Sequence, residues 1–145
     1  MKRISFFTAL LFLGLETTAQ TAADSTAFKG YLENQEYNVY MRINFYEQDV
    51  VISWQEMFGQ LPGFLSKHDN NYCWIITDAI VNGNKAELEL VNDYGSEDLK
   101  ATLTQENDSV FILRQGSGSS LKVPNKGKWQ KLPSTLTFLK RKTRK

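Results

Sequence analysis

Tyr37-Asn-Val-Tyr-Met-Arg-Ile-Asn-Phe-Tyr46 alternates without a break. Tyr37, Val39, Met41, Ile43 and Phe45 fall on one side of the chain, and Asn38, Tyr40, Arg42, Asn44 and Tyr46 on the other. A period of two places one apolar row on one face of an extended strand. At about 3.3 Å per residue the stretch spans about 30 Å, enough to line the core of a whole barrel or sandwich. The other segments are expected to pack against that row.

Working outward, Phe28 to Glu33 is a short strand carrying Gly30, and Asn34 to Glu36 turns it into the long one. Downstream, Tyr72 to Val81 begins apolar on both faces. Asn82-Gly83 is the strongest hairpin signal, because the favoured two-residue turns need positive φ. Ala86, Leu88 and Leu90 alternate with Lys85, Glu87 and Glu89, and Leu99, Ala101 and Leu103 form the next inward row. Val110 to Leu113, Leu121 to Val123 and Leu136 to Leu139 complete the strands, with Gln115 to Ser120 as a flexible connection and Pro124 to Gly127 as a turn. About eight short strands between turn signals predict an all-β fold. An antiparallel up-and-down barrel is preferred over a sandwich because closure removes exposed sheet edges.

One interruption breaks the pattern. Ser53-Trp-Gln-Glu56 has the spacing of a capping box, and Trp54, Met57, Phe58, Leu61 and Leu65 follow at helical spacing. A helix of about two turns is expected, weakened by Gly59 and stopped by Pro62-Gly63. So short a helix needs an apolar surface to lie on, and the open end or face of the barrel supplies one.

The chain starts with Lys2 and Arg3, an apolar run from Ile4 to Leu15, and the small residues Thr17-Thr18-Ala19. That is the pattern of a cleavable signal peptide over 1–19, so a periplasmic or secreted product is expected. The apolar run is shorter than the ~20 residues a membrane-spanning helix requires. Residues 20–27 then form a polar lead-in, 28–139 a single domain, and 140–145 a basic tail. The formal charge of +1 falls to zero without the leader, which carries Lys2, Arg3 and Glu16. Lys140, Arg141, Lys142, Arg144 and Lys145 concentrate positive charge at the end and leave the body acidic. Such a tail is read as solvated, or as a contact for an acidic partner or anionic lipid. Export and the acidic body speak against a nucleic-acid role.

Catalytic chemistry has little to work with. His68 is the sole histidine and Cys73 the sole cysteine, and no phosphate loop, nucleophile elbow or zinc motif is present. Cys73 lies in an apolar run and reads as a small buried hydrophobe. Asn92, Asp93, Glu97 and Asp98 read as an acidic hairpin turn rather than a calcium loop. No catalytic residue, metal ligand or cofactor is assigned.

A signal peptide, a short glycine-bearing strand in Gly30-Tyr31-Leu32, and up-and-down strands with one small helix together resemble the calycin-type, lipocalin-like barrels, and in particular small exported proteins of Gram-negative gut bacteria. That resemblance implies a small apolar ligand held inside the barrel. Val39, Met41, Ile43 and Phe45 would then line the site, and Trp54, Met57, Phe58 and Leu61 would close it. The second expectation is a protein-interaction or inhibitor module acting on another exported protein through exposed loops. Gly116-Ser-Gly-Ser119, followed by Lys126-Gly-Lys-Trp129, is similar to the Ser-Gly loop of some periplasmic lysozyme inhibitors, which makes Ser117, Gly118 and Ser119 the candidate loop. Cavity size separates the two, since nine Phe, six Tyr and three Trp are enough to fill a small barrel.

Overall fold

Asparagines cut the alternating stretch to six residues. Asn38 takes a left-handed φ of 57°, and the Asn44 side-chain oxygen accepts the backbone N–H groups of Tyr46 and Glu47, so the chain turns at both places. What remains is β2 (Val39–Asn44), with Val39, Met41 and Ile43 pointing inward as the periodicity predicts. Phe45 also stays in the core, tied by its N–H to the carbonyl of Phe28. The structure is a computed structural model and describes residues 26–142. The expected signal peptide over 1–19, most of the expected polar lead-in and the end of the expected basic tail lie outside the described residues.

The remaining strands are β1 (Lys29–Asn34), β3 (Gly63–Lys67), β4 (Cys73–Asn82), β5 (Lys85–Asn92), β6 (Asp98–Gln105), β7 (Val110–Gly118), β8 (Lys122–Asn125), β9 (Lys128–Lys131) and β10 (Thr135–Lys140). Eight of them close a barrel in the order β1-β10-β7-β6-β5-β4-β3-β2. Every pairing is antiparallel, so the meander expected from the turn signals is the one formed. The hairpin β8–β9 is inserted between β7 and β10 and forms a separate two-stranded sheet.

The turns follow their residues, with one shift. Asn82 pairs with Lys85, so the two turn residues are Gly83 and Asn84 rather than Asn82 and Gly83. Gly83 supplies the positive φ, 65°, at the first turn position. In β8–β9, Lys126 and Gly127 have φ values of 53° and 80°, the pair of positive angles that joins tightly twisted strands.

Inside, Phe28 stacks on Phe45 at 5.6 Å and meets Phe111 edge-on at 5.7 Å, and Trp74, Phe138, Leu32 and Leu65 are fully buried. A hollow barrel would leave its lining open to a water-sized probe. Val39, Met41, Leu32, Leu65, Trp74, Leu103 and Phe138 all have 0% exposure. The barrel is filled by its own side chains, as bulky inward rows in an eight-stranded closure allow.

The interruption after β2 is a strap rather than a two-turn helix. Only Glu56–Phe58 is helical, as a single 3-10 turn, and the expected serine cap is absent because Gln55 occupies the cap position without a side-chain bond. Val50 and Leu61 pair through both backbone bonds, which brackets the excursion. Val50 and Ile52 lie on Phe64, Cys73 and Ile75 in a second apolar cluster outside the barrel, with Tyr40, Trp54, Leu61 and Val91 at its margin. This cover explains why the start of β4 is apolar on both faces: Trp74 and Ile76 belong to the interior, Cys73 and Ile75 to the strap. Burial pushes the Cys73 thiol up to about 12.

Two further boundaries differ from expectation. Gln115 to Gly118 is strand, not a loose connection, because Gly118 lets β7 approach β6 closely: a Cβ there would sit 2.6 Å from the Asp98 carbonyl oxygen. Lys140 ends β10 instead of opening a tail, and Arg141 donates its backbone N–H to Tyr31. No helix among the described residues is long and apolar enough to cross a membrane.

Candidate functional site

The barrel has two unlike ends. One carries residues 26–28 and the short turns 83–84 and 106–109; the other gathers loops 35–38, 68–72 and 93–97 with the β8–β9 hairpin folded over it. Three contacts fix the hairpin there. The Trp74 indole N–H donates to Lys122 O at 2.9 Å, and Lys67 Nζ donates to Pro124 O at 3.1 Å and Asn125 Oδ1 at 2.9 Å. Leu121, Val123 and Leu132 meanwhile add to the core. The hairpin therefore seals this end and presents its tip outward.

The strap reaches the same end. Trp54 packs edge-on against Phe64 at 5.6 Å and donates its indole N–H to Asn71 O at 2.8 Å. Next to it, Gln55 Nε2 donates to Asp93 Oδ1 at 2.9 Å, which ties the strap to the β5–β6 loop. Asn92 shapes that loop, its Oδ1 accepting the N–H groups of Ser96 and Glu97. Asn70 does the same for the β3–β4 loop by accepting the Tyr72 N–H at 2.7 Å.

These loops enclose an open cavity of about 540 Å³ lined by Trp54, Gln55, Asn70, Asn71, Tyr72, Asp93, Tyr94, Pro124 and Trp129. Tyr72 is its buried floor, 4.9 Å from the Trp129 ring and 5.7 Å from that of Tyr94. Tyr94 is 73% exposed and Trp129 52%, large apolar areas in one polar turn and just beyond another. The rings are surrounded by hydrogen-bonding groups. Among the described residues the Tyr94 hydroxyl, the Trp129 indole N–H and the side-chain amide nitrogens of Asn70 and Asn71 make no hydrogen bond to protein.

Electrostatically the rim is close to balanced. Lys122 Nζ lies 2.9 Å from Glu97 Oε2 and 5.9 Å over the Trp129 ring, so the cation beside Trp129 is already paired. Burial raises the Asp93 carboxyl, with the Gln55 bond opposing. Burial likewise lifts the Tyr72 hydroxyl to about 12, against a hydrogen bond to Asn92 that lowers it.

The residues singled out from sequence scatter over the molecule. Val39, Met41, Ile43 and Phe45 come together, but inside the filled core. Trp54 reaches the rim, Leu61 stays in the outer cluster, Met57 is 86% exposed and Phe58 37% exposed, so the four do not form a closing stripe. Ser117 and Gly118 line a groove of about 390 Å³ on the outer face of β4 to β7, and Ser119 donates its N–H to Asp98 O, so the Ser-Gly segment is bound in the sheet. His68 lies on the Tyr40 ring at 4.6 Å, with Nε2 3.8 Å from Glu33, while Cys73 is buried under the strap. No group of three or more His, Cys, Asp or Glu among the described residues is placed to hold a metal.

Tyr72, Tyr94, Trp129, Gln55, Asn70 and Asn71 were not singled out. A signal for one of them was present: Tyr94 is a large ring in Asp93-Tyr-Gly95, a turn where folding alone asks for small polar residues. Comparison with known proteins finds no matching family model, no matching curated protein and no matching solved structure. The architecture itself, a closed eight-stranded antiparallel barrel, is compatible with a calycin-like fold.

Proposed function

We propose that this chain is an exported, non-enzymatic binding protein that takes its ligand on the aromatic rim at the hairpin end, not inside the barrel. The observation that carries the reading is the convergence of Trp54, Tyr72, Tyr94 and Trp129 on one open 540 Å³ cavity. That volume lies within the ~300–1,000 Å³ typical of small-molecule sites. Tyr94 and Trp129 are exposed rings on two different segments and belong to neither apolar cluster, and folding gains nothing from leaving them in water. Their hydrogen-bonding neighbours without protein partners give such a site its means of orienting a ligand. The positive, apolar and small-residue segments of 1–19 support export. The filled interior favours this form of the interaction reading over a calycin-like internal ligand.

The test is an amide-shift titration of the isotope-labelled mature protein, with an extract of bacterial cell envelope and separately with decanoate. Shifts confined to residues 54–55, 70–72, 93–94 and 129 are expected from the extract. Shifts along the inward row of β2, produced by decanoate, would return the ligand to the barrel and overturn the proposal.

A further inference from the structure

We infer that the rim recognises a neutral saccharide chain, whose ring faces lie on Tyr94 and Trp129 and whose hydroxyls bond Asn70, Asn71 and Asp93. This rests on the reading of the rim as a binding site. The first ground is the mixture of groups. A pyranose ring has a face of weakly positive C–H groups, suited to the negative face of an aromatic ring, and an edge of hydroxyls that both donate and accept. The rim offers both halves at once: two exposed rings, 73% and 52% accessible, beside amide nitrogens that make no bond to protein.

Charge narrows the class. Asp93 is the one charged residue among those that line the cavity, and Lys122 beside Trp129 is held by Glu97 at 2.9 Å, so an anionic ligand would meet a carboxylate with no lining cation opposite it. A cationic ligand would find its one lining countercharge, Asp93, already accepting Gln55 Nε2 at 2.9 Å, and the Trp129 ring already carrying the Lys122 ammonium at 5.9 Å. A purely apolar ligand would strip water from Asn70, Asn71 and Asp93 without replacing their hydrogen bonds, a cost of about 1–3 kcal/mol per group. The cavity is also open rather than enclosed, so a ligand longer than the cavity can extend out of it. A neutral, hydroxyl-rich polymer segment satisfies all of these conditions.

The experiment titrates the isotope-labelled mature protein with cellotetraose, maltotetraose, xylotetraose and chitotetraose at millimolar concentration, following the Trp129 indole and the Tyr94 amide. At least one sugar is expected to shift both signals. Trp129→Ala and Tyr94→Ala should each weaken binding about tenfold or more, equivalent to about 1.4 kcal/mol, while Trp129→Phe, which keeps a ring face, stays within about threefold of the parent. Both side chains are largely exposed, so an unchanged melting temperature certifies the fold of the variants. If no sugar moves the rim but unstructured peptides or decanoate do, the saccharide inference falls and the binding rim stands. Silence of the rim toward sugars, peptides and decanoate alike would remove both. Shifts that survive all three variants would place the sugar elsewhere and overturn the inference.

Discussion

Removing Lys140 to Lys145 should open the barrel, whereas removing only Lys142 to Lys145 should not. The closing seam between β1 and β10 is short, pairing Leu32 with Lys140 and Glu33 with Leu139. Lys140 N–H donates to Ser109 O at 2.7 Å and Arg141 N–H to Tyr31 O at 2.8 Å. Lys140 Nζ then reaches back to Thr26 O at 3.1 Å and Ala27 O at 2.9 Å, lying 5.8 Å over the Phe111 ring. Two backbone bonds are worth about 2 kcal/mol net, and the ammonium bonds about 1.5–3 kcal/mol more. Burial lowers the Lys140 pKa, so part of the second figure is offset by desolvation. A loss of about 3 kcal/mol remains, equivalent to a fall in melting temperature of about 12 °C for a domain of this size. Circular dichroism melts of the two truncations at neutral pH measure it. Equal melting of both truncations and the parent, within about 2 °C, would refute the reasoning and return Lys140 to a solvated tail.

Four other outcomes follow from the same structure. Phe58→Ala should cost less than about 1 kcal/mol in urea unfolding, because Phe58 is 37% exposed; a cost of ~3–5 kcal/mol would mean that it packs as a core ring. Gly118→Ala should lose about 2 kcal/mol or more, since φ is +106° and the new Cβ would lie 2.6 Å from Asp98 O and 2.8 Å from Leu99 Cα; unchanged stability would mean that the β6–β7 pairing is looser than described. The Cys73 thiol, fully buried with its pKa near 12, should ignore Ellman's reagent at pH 8 until the protein unfolds, and rapid labelling of folded protein would show the strap opening. Burial raises the Asp93 carboxyl above its ordinary 3.8, so the folded state holds that proton more tightly and the ionised group opposes folding above this range. Asp93→Asn should therefore melt no lower than the parent at pH 7, with the difference closing as the pH falls below 3.8; a lower melting temperature at pH 7 would reverse the assigned sign.

The inward rows were legible because a two-residue period needs no knowledge of partners: Ala86, Leu88 and Leu90, and then Leu99, Ala101 and Leu103, point inward as their spacing requires. The strap was misread because its apolar residues satisfy two geometries at once. Ile52 and Trp54 sit at a spacing that an extended chain places on one face, and Trp54, Met57, Phe58 and Leu61 at one that a helix does. Tertiary contact decides between them: Ile52 is fully buried against the outer face of the sheet and the Trp54 indole bonds Asn71. Gln115 to Gly118 was misread for the opposite reason. Glycine and serine look mobile in isolation, but here their lack of bulk is what allows two strands to approach. The rim was hidden because it is assembled from the strap, two barrel loops and an inserted hairpin, and no local pattern brings Trp54, Tyr94 and Trp129 together.

The filled interior and the external rim have one cause. An eight-stranded barrel has an interior just wide enough for side chains, so every large inward residue removes room for a ligand. Phe28, Trp74, Phe111 and Phe138 all point inward and are fully buried, which stabilises a small domain that has a single cysteine and so no internal disulfide. The proposed binding site then falls at an end, where loops are free to carry side chains that the core does not need. Only the hairpin end can hold them rigidly. There Trp74 grips the hairpin from inside the barrel, while Ile52, fixed under the outer cluster, delivers Trp54 and Gln55 from outside. The rim is positioned from both surfaces of the same strand β4: Trp74 faces in and Cys73 and Ile75 face out. Tyr72 packs edge-on against Trp74 at 6.5 Å, so a perturbation of the inner surface should be felt at its ring.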